Sequence, residues 1–232
     1  SHMHLLNYGN ALHSALLSEH TGSLKDLKEC FRSFMKAHPP KGNAWVIGRG
    51  WNQDYFSDVD RMPNRYDLDE ISKDVPICAT RACGHCMVVN SKALEAAGIT
   101  TDTPQPEGGR IGIENGELDG RLFDNAMSLI HKAIPSPDKE QLKSMLISAI
   151  KKLNSYGITS CQTDDYKVFQ NVPWQTVNEA FHELEAEGAL TVRIYEQSNF
   201  HTLESLREFV ESGHKTGAGT DHFRIGPLKM LG

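Results

Sequence analysis

Apolar residues recur along this chain at two spacings, and the switch between them marks out its elements. Over residues 23–38, Leu24, Leu27, Phe31, Phe34 and Met35 fall on one helical face, with Ser23 as N-cap and Pro39-Pro40 ending the run. Trp45-Val46-Ile47-Gly48 reads as a short strand, and the polar, acidic residues 54–74 wrap the surface. Residues 76–80 form the next strand. Residues 77–99 then read as that strand, a turn through Gly84-His85, a second apolar run and a small helix capped by Ser91 and stopped by Gly98. Residues 110–113 and 118–122 flank Glu114-Asn115-Gly116-Glu117, a strong hairpin signal. Gly108-Gly109-Arg110 lacks the lysine and following helix of a phosphate cradle and reads as a turn.

The second half alternates cleanly. A helix opens at Ser136-Pro137, carries Leu142, Met145, Leu146, Ala149, Ile150 and Leu153 as its stripe, and closes at Gly157. A strand over 158–162 ends at Asp164-Asp165; a helix over 174–187, a strand over 190–196, a helix over 203–212 and a strand over 223–230 follow. Such alternation predicts an α/β fold whose parallel sheet is flanked by helices. The last strand has nothing after it to cover it, which predicts either an open sheet or a fragment.

Composition narrows the classes. A chain of 232 residues can bury a full core, and a net charge of −6 without a basic stripe argues against nucleic acid as partner. No apolar run is long enough to span a membrane, and no signal-peptide pattern opens the chain, so a cytoplasmic location is expected. Five cysteines, an odd number, do not make a disulfide framework.

Three groups of residues carry candidate chemistry. His2 and His4 are one residue apart on an extended segment and point the same way, so both reach one metal ion; Ser1-His2-Met3 is also a common expression remnant. Cys83-Gly84-His85-Cys86 has thiol-oxidoreductase spacing, but Met87-Val88-Val89 continues as a strand where such enzymes place a helix. A structural zinc on that pair lacks a second paired motif. Asp164 and Asp165 stand where a strand ends and a loop begins, as site residues, helix caps or solvated acids.

A longer series of short matches runs through the chain. It comprises His2-Met3-His4 with Gly9, Trp45-Val46-Ile47-Gly48-Arg49-Gly50-Trp51, Pro63 through Leu68 to Asp69, Gly84-His85, Asn90-Ser91 and Ala93-Leu94. It continues through Ala97-Gly98-Ile99-Thr100, Gly108-Gly109-Arg110-Ile111, Gly120, Asn125-Ala126-Met127, Gly157-Ile158-Thr159-Ser160, Arg193-Ile194-Tyr195 and Gly226-Pro227-Leu228-Lys229. In this order and spacing the series resembles the third family of amidohydrolases, within the metal-dependent amidohydrolase superfamily. The resemblance implies a partial TIM-like (β/α) barrel with an inserted α+β region. Residues 1–44 would start the barrel, 45–122 form the insertion, and 123–232 supply further βα units. It also implies a fragment, without the family's N-terminal β-sandwich segment and the later barrel strands, and inactive by itself.

The resemblance implies site roles as well. His2 and His4 would bind a divalent metal, most simply zinc, with one or two ions in the full-length enzyme. Lys229 would bridge metals as a carbamate, which needs a neutral amine; the alternative is a lysine reaching solvent. His85 would lie at the mouth of the site near substrate or, alternatively, fix its turn. Trp51 would line the substrate pocket or pack in the core. Of the paired aspartates at most one, Asp164, is a candidate catalytic residue, while the proton-shuttling acid would come from the later part of the family's chain. The implied reaction is hydrolysis of a C–N bond in a small-molecule amide, formamide or cyclic amide by metal-activated water. A thiol–disulfide oxidoreductase using Cys83 and Cys86, and a non-catalytic binding domain, are the alternatives. An uncovered barrel edge implies self-association into a homo-oligomer.

Overall fold

In a computed structural model that describes residues 2–230, the apolar stripes become the buried faces of two compact units. Ser1, Leu231 and Gly232 lie outside the described residues. In chain order the first elements are α1 (Leu5–Leu12), β1 (Ala15–Leu16), α2 (Leu24–Ala37), β2 (Val46–Trp51), α3 (Arg65–Asp69), β3 (Ile77–Arg81), β4 (Cys86–Val89) and α4 (Ser91–Ala96). The hairpin β5 (Gly109–Glu114) and β6 (Glu117–Asp124) and the helix α5 (Met127–Ala133) follow. Then come α6 (Lys139–Ser155), β7 (Ser160–Thr163), α7 (Trp174–Ala186), β8 (Arg193–Ser198), α8 (Leu203–Glu211) and β9 (Phe223–Leu228). No helix among the described residues is long and apolar enough to cross a membrane.

One unit joins the chain up to His13 with everything from Ser136 onward. Its sheet runs β7-β8-β9, all parallel, and His2 adds a parallel bridge to Gln162 on the free side of β7. The α6 stripe is buried as its spacing requires, with Leu142, Leu146, Ala149, Ile150 and Leu153 packed against Leu5, Leu6, Cys161, Ile194 and Phe223. The start of α6 differs from expectation. Asp138 accepts the Gln141 N–H (2.8 Å) while the Gln141 side chain accepts the Asp138 N–H (2.9 Å), and this reciprocal cap begins the helix at Lys139, beyond Pro137. Gly9 lets α1 lie directly on α6: a Cβ there would stand 2.4 Å from the Met145 carbonyl oxygen.

The other unit spans Ser14–Pro135. Its six-stranded sheet has the order β1-β2-β3-β4-β6-β5, parallel from β1 to β3 and antiparallel beyond. Period-two alternation gives each face its own core. Ile77, Ala79, Cys86 and Val88 pack on one side with Leu27 and Phe31 of α2. Cys78, Met87 and Val89 pack on the other with Leu94, Leu122 and Ile130.

This unit is wider than the expected insertion over 45–122. Ala15 and Leu16 pair with Gly48 and Arg49, α2 covers the same sheet, and Met127 and Ile130 of α5 complete the second core. The Asn115-Gly116 hairpin is as expected, with both residues at positive φ (52° and 82°). The helix after β4 is capped by Asn90, whose Oδ1 accepts the Ala93 N–H (2.9 Å); Ser91, the expected cap, is its first residue.

Candidate metal centre

The site begins with the segment that leads into α1. The Met3 N–H donates to the Gln162 carbonyl (2.9 Å), and this single parallel bridge lays His2-Met3-His4 alongside β7. The chain then turns at His4, which caps α1 without a side-chain hydrogen bond. The first helical N–H groups are satisfied from across the sheet. Leu5 N–H donates to Thr163 Oγ1 (2.9 Å), Leu6 N–H to Asp165 Oδ1 (3.0 Å), and the Thr163 hydroxyl to the same Asp165 oxygen (2.8 Å). Asp164 follows the last residue of β7, and Lys229 follows the last residue of β9, its N–H donating to the Ser198 carbonyl (2.8 Å). These side chains thus gather at the carboxyl ends of parallel strands, where α/β barrels build their sites.

Asp164 is the hub. Its Oδ1 lies 2.5 Å from His4 Nδ1, and its Oδ2 accepts from Lys229 Nζ at 2.6 Å. Lys229 Nζ also lies 3.3 Å from His2 Nε2. Burial pushes the Asp164 carboxyl up, but the hydrogen bonds from Lys229 and His4 outweigh it and hold the group below the usual carboxylate range. One ligand atom from each of His2, His4 and Asp164 falls within 4.8 Å of the others. Two imidazoles and a carboxylate are a zinc-type donor set, and the Lys229–Asp164 ion pair seats positive charge among the same donors. These residues fit a divalent cation.

Behind this hub lie two buried acids. Asp165, 1% exposed, donates its backbone N–H to Glu196 Oε1 (2.6 Å), and Glu196 is fully buried. Burial pushes both carboxyls up; the negative charge of Asp164 raises Asp165 further, and the charges of Asp165 and Asp164 raise Glu196. Asp165 Oδ2, Glu196 Oε2 and Ser198 Oγ have no hydrogen-bond partner among the described residues. The paired aspartates divide: Asp164 meets His4 and Lys229, while Asp165 turns inward. Glu196 is absent from the sequence expectations, yet it had a signal. In β8 the residues Ile194, Glu196 and Ser198 share the buried face, and an acid at a core-facing strand position is unusual.

The remaining expected residues belong to the Ser14–Pro135 unit. Trp51 is fully buried, its indole N–H donating to the Ala79 carbonyl (2.9 Å), so it packs and offers no surface to a substrate. His85 is exposed on the β3–β4 turn, with Nδ1 3.0 Å from Asp124 Oδ1. Cys83 shares that turn and Cys86 opens β4, and no helix begins there. Cys83 is exposed and its thiol is held down by the Arg81 hydrogen bond and the His85 N–H. Cys86 is buried, and burial pushes its thiol up to about 12.

Parallel strands backed by helices, with histidine, aspartate and lysine converging at their ends, make this an α/β protein built on part of a TIM-like barrel, with an inserted α+β unit. The chain belongs to the amidohydrolase family, whose model matches residues 1–232. It is 37% identical over 176 residues to the putative amidohydrolase YtcJ of Bacillus subtilis (strain 168), a match covering 74% of this chain and 32% of that protein. It is 32% identical over 112 residues to the N-substituted formamide deformylase of Arthrobacter pascens, covering 48% of this chain and 20% of that enzyme. The chain thus spans a third or less of the length of these two relatives. Among solved structures, an uncharacterized metal-dependent hydrolase from Pyrococcus horikoshii OT3 superposes with a TM-score of 0.70 at 22% identity, covering 98% of this chain and 41% of that one. A second, from Pyrococcus furiosus, gives 0.69 at 24% identity, covering 98% and 42%.

Proposed function

We propose that this chain supplies part of the active site of a metal-dependent hydrolase that cleaves C–N bonds in small amides, formamides or cyclic amides. The observation that carries the reading is the convergence of His2, His4 and Asp164 within 4.8 Å, with Lys229 against two of them. The formamide deformylase among its relatives is consistent with that substrate class.

His2, His4 and Asp164 would hold a divalent ion, zinc by donor type, with Lys229 in reach as a further ligand once carbamylated. When bound, such an ion polarises a carbonyl and lowers the pKa of water toward neutrality. The chain's own residues prepare the place. The carboxylate of Asp164 balances the positive charge at the site and, through His4 Nδ1, fixes which nitrogen of that ring carries the proton. Lys229 occupies the remaining Asp164 oxygen, so a carbamate there would form only after that ion pair opens.

Elemental analysis of the purified chain beside a His2→Ala/His4→Ala double variant tests the metal reading. Stoichiometric zinc that disappears in the variant is the expected result. Zinc retained by the double variant would sink it.

A further inference from the structure

The metal ligands His2 and His4 sit on a segment with few local reasons to hold its shape. It precedes a helix of eight residues that contains Gly9 and two asparagines, and its cap residue makes no side-chain capping bond. The helix start is instead fixed by β7. Leu5 N–H, Thr163 Oγ1 and Asp165 Oδ1 form a continuous buried chain in which each hydrogen has a definite acceptor, and Leu6 N–H closes it on the same carboxylate oxygen. Asp165 is held in turn by its own N–H on Glu196 Oε1 of β8. Thr163 and Glu196 are fully buried.

We propose that Thr163 and Asp165 are positioning residues for the ligand pair: they clamp the His4–Leu5 and Leu5–Leu6 peptide groups and so set how far His2 and His4 project toward Asp164. The proposal rests on His2 and His4 being metal ligands, and it assigns a function to the inward-facing aspartate, which touches neither ligand side chain. The arrangement is specific in what it needs. Position 163 needs a hydroxyl, which both accepts and donates. Position 165 needs one side-chain oxygen that accepts two hydrogens, so an amide serves there as well as a carboxylate.

Zinc affinity, read by competition with a chromophoric chelator, and the imidazole NMR signals of His4 in metal-free protein together test this. Thr163→Val keeps the shape but removes the hydroxyl, and is expected to weaken zinc binding about 10- to 100-fold and to move the His4 signals. Thr163→Ser restores both, and Asp165→Asn leaves both near wild type, whereas Asp165→Ala behaves like Thr163→Val and replaces it as the probe if that variant does not fold. A general loss of packing would not be rescued by serine at a threonine site or by asparagine at an aspartate site. Wild-type zinc affinity and unmoved His4 signals in Thr163→Val or Asp165→Ala would overturn the proposal. If the wild-type chain takes up no zinc, the metal reading fails, and the His4 signals alone then decide whether the clamp positions the ring.

Discussion

At the scale of single residues, the five cysteines separate by environment. Cys78, Cys86 and Cys161 are buried, and burial pushes each thiol up to about 12. Cys30, half-buried, is raised as well, while Cys83 is exposed and lowered by Arg81, whose guanidinium is itself held by Asn52, Gln53 and Asp54. The thiolate is the reactive form, so a lowered pKa moves reactivity to lower pH. Alkylation followed by mass spectrometry should label Cys83 first, with half its maximal rate at a lower pH than for a free cysteine. Arg81→Gln should return that midpoint toward the free value. Equal labelling of Cys83 and Cys30 at neutral pH would contradict the assignment. The same contrast bears on the C-x-x-C spacing: a dithiol pair needs a second sulfur that attackers can reach, and Cys86 lies at 4% exposure.

At the scale of elements, Asn90 shows how one buried side chain joins several of them. Its Oδ1 accepts from Ile77 N–H (2.9 Å) and Ala93 N–H (2.9 Å), and its Nδ2 donates to the carbonyls of Ser72 and Val75 (2.8 Å each). It therefore starts β3, caps α4 and pins the loop before both. Asn90→Ala strands four backbone groups, and should cost about 3–5 kcal/mol in urea unfolding; a loss under about 1 kcal/mol would mean that water or relaxation replaces these bonds. The Asn-Ser of the family resemblance is thus structural, since Asp69 takes the Ser91 N–H and hydroxyl (2.8 and 2.6 Å). Where periodicity was strong, in α2 and α6, the sequence was a good guide to the element. It was silent on α1, because that helix draws its start from Thr163 and Asp165, not from a neighbour in sequence. His2, His4, Asp164 and Lys229 each stood out individually. Their meeting depends on the β7-β8-β9 order and on His2 pairing with Gln162, which spacing along the chain does not encode.

At the scale of the whole molecule, each unit has apolar cores of its own among the described residues. One cluster holds Leu5, Leu6 and residues from Leu142 onward; the two others draw only on residues between Ala15 and Ile134. A continuous stretch with its own cores on both faces of a sheet is expected to fold alone. Residues 14–135, expressed by themselves, should unfold cooperatively and give dispersed amide NMR signals. A broad, non-cooperative transition would show that this unit depends on the rest of the chain.

The insertion also sets a timetable. His4 and Asp164 touch across a separation of 160 residues, about three quarters of it occupied by the other unit. At about 5–20 residues per second of synthesis, Asp164 leaves the ribosome roughly 8–32 s after His4. During that interval the inserted unit has time to fold, while the two histidines wait without the strand that orients them. Metal capture would then follow the folding of the inserted unit.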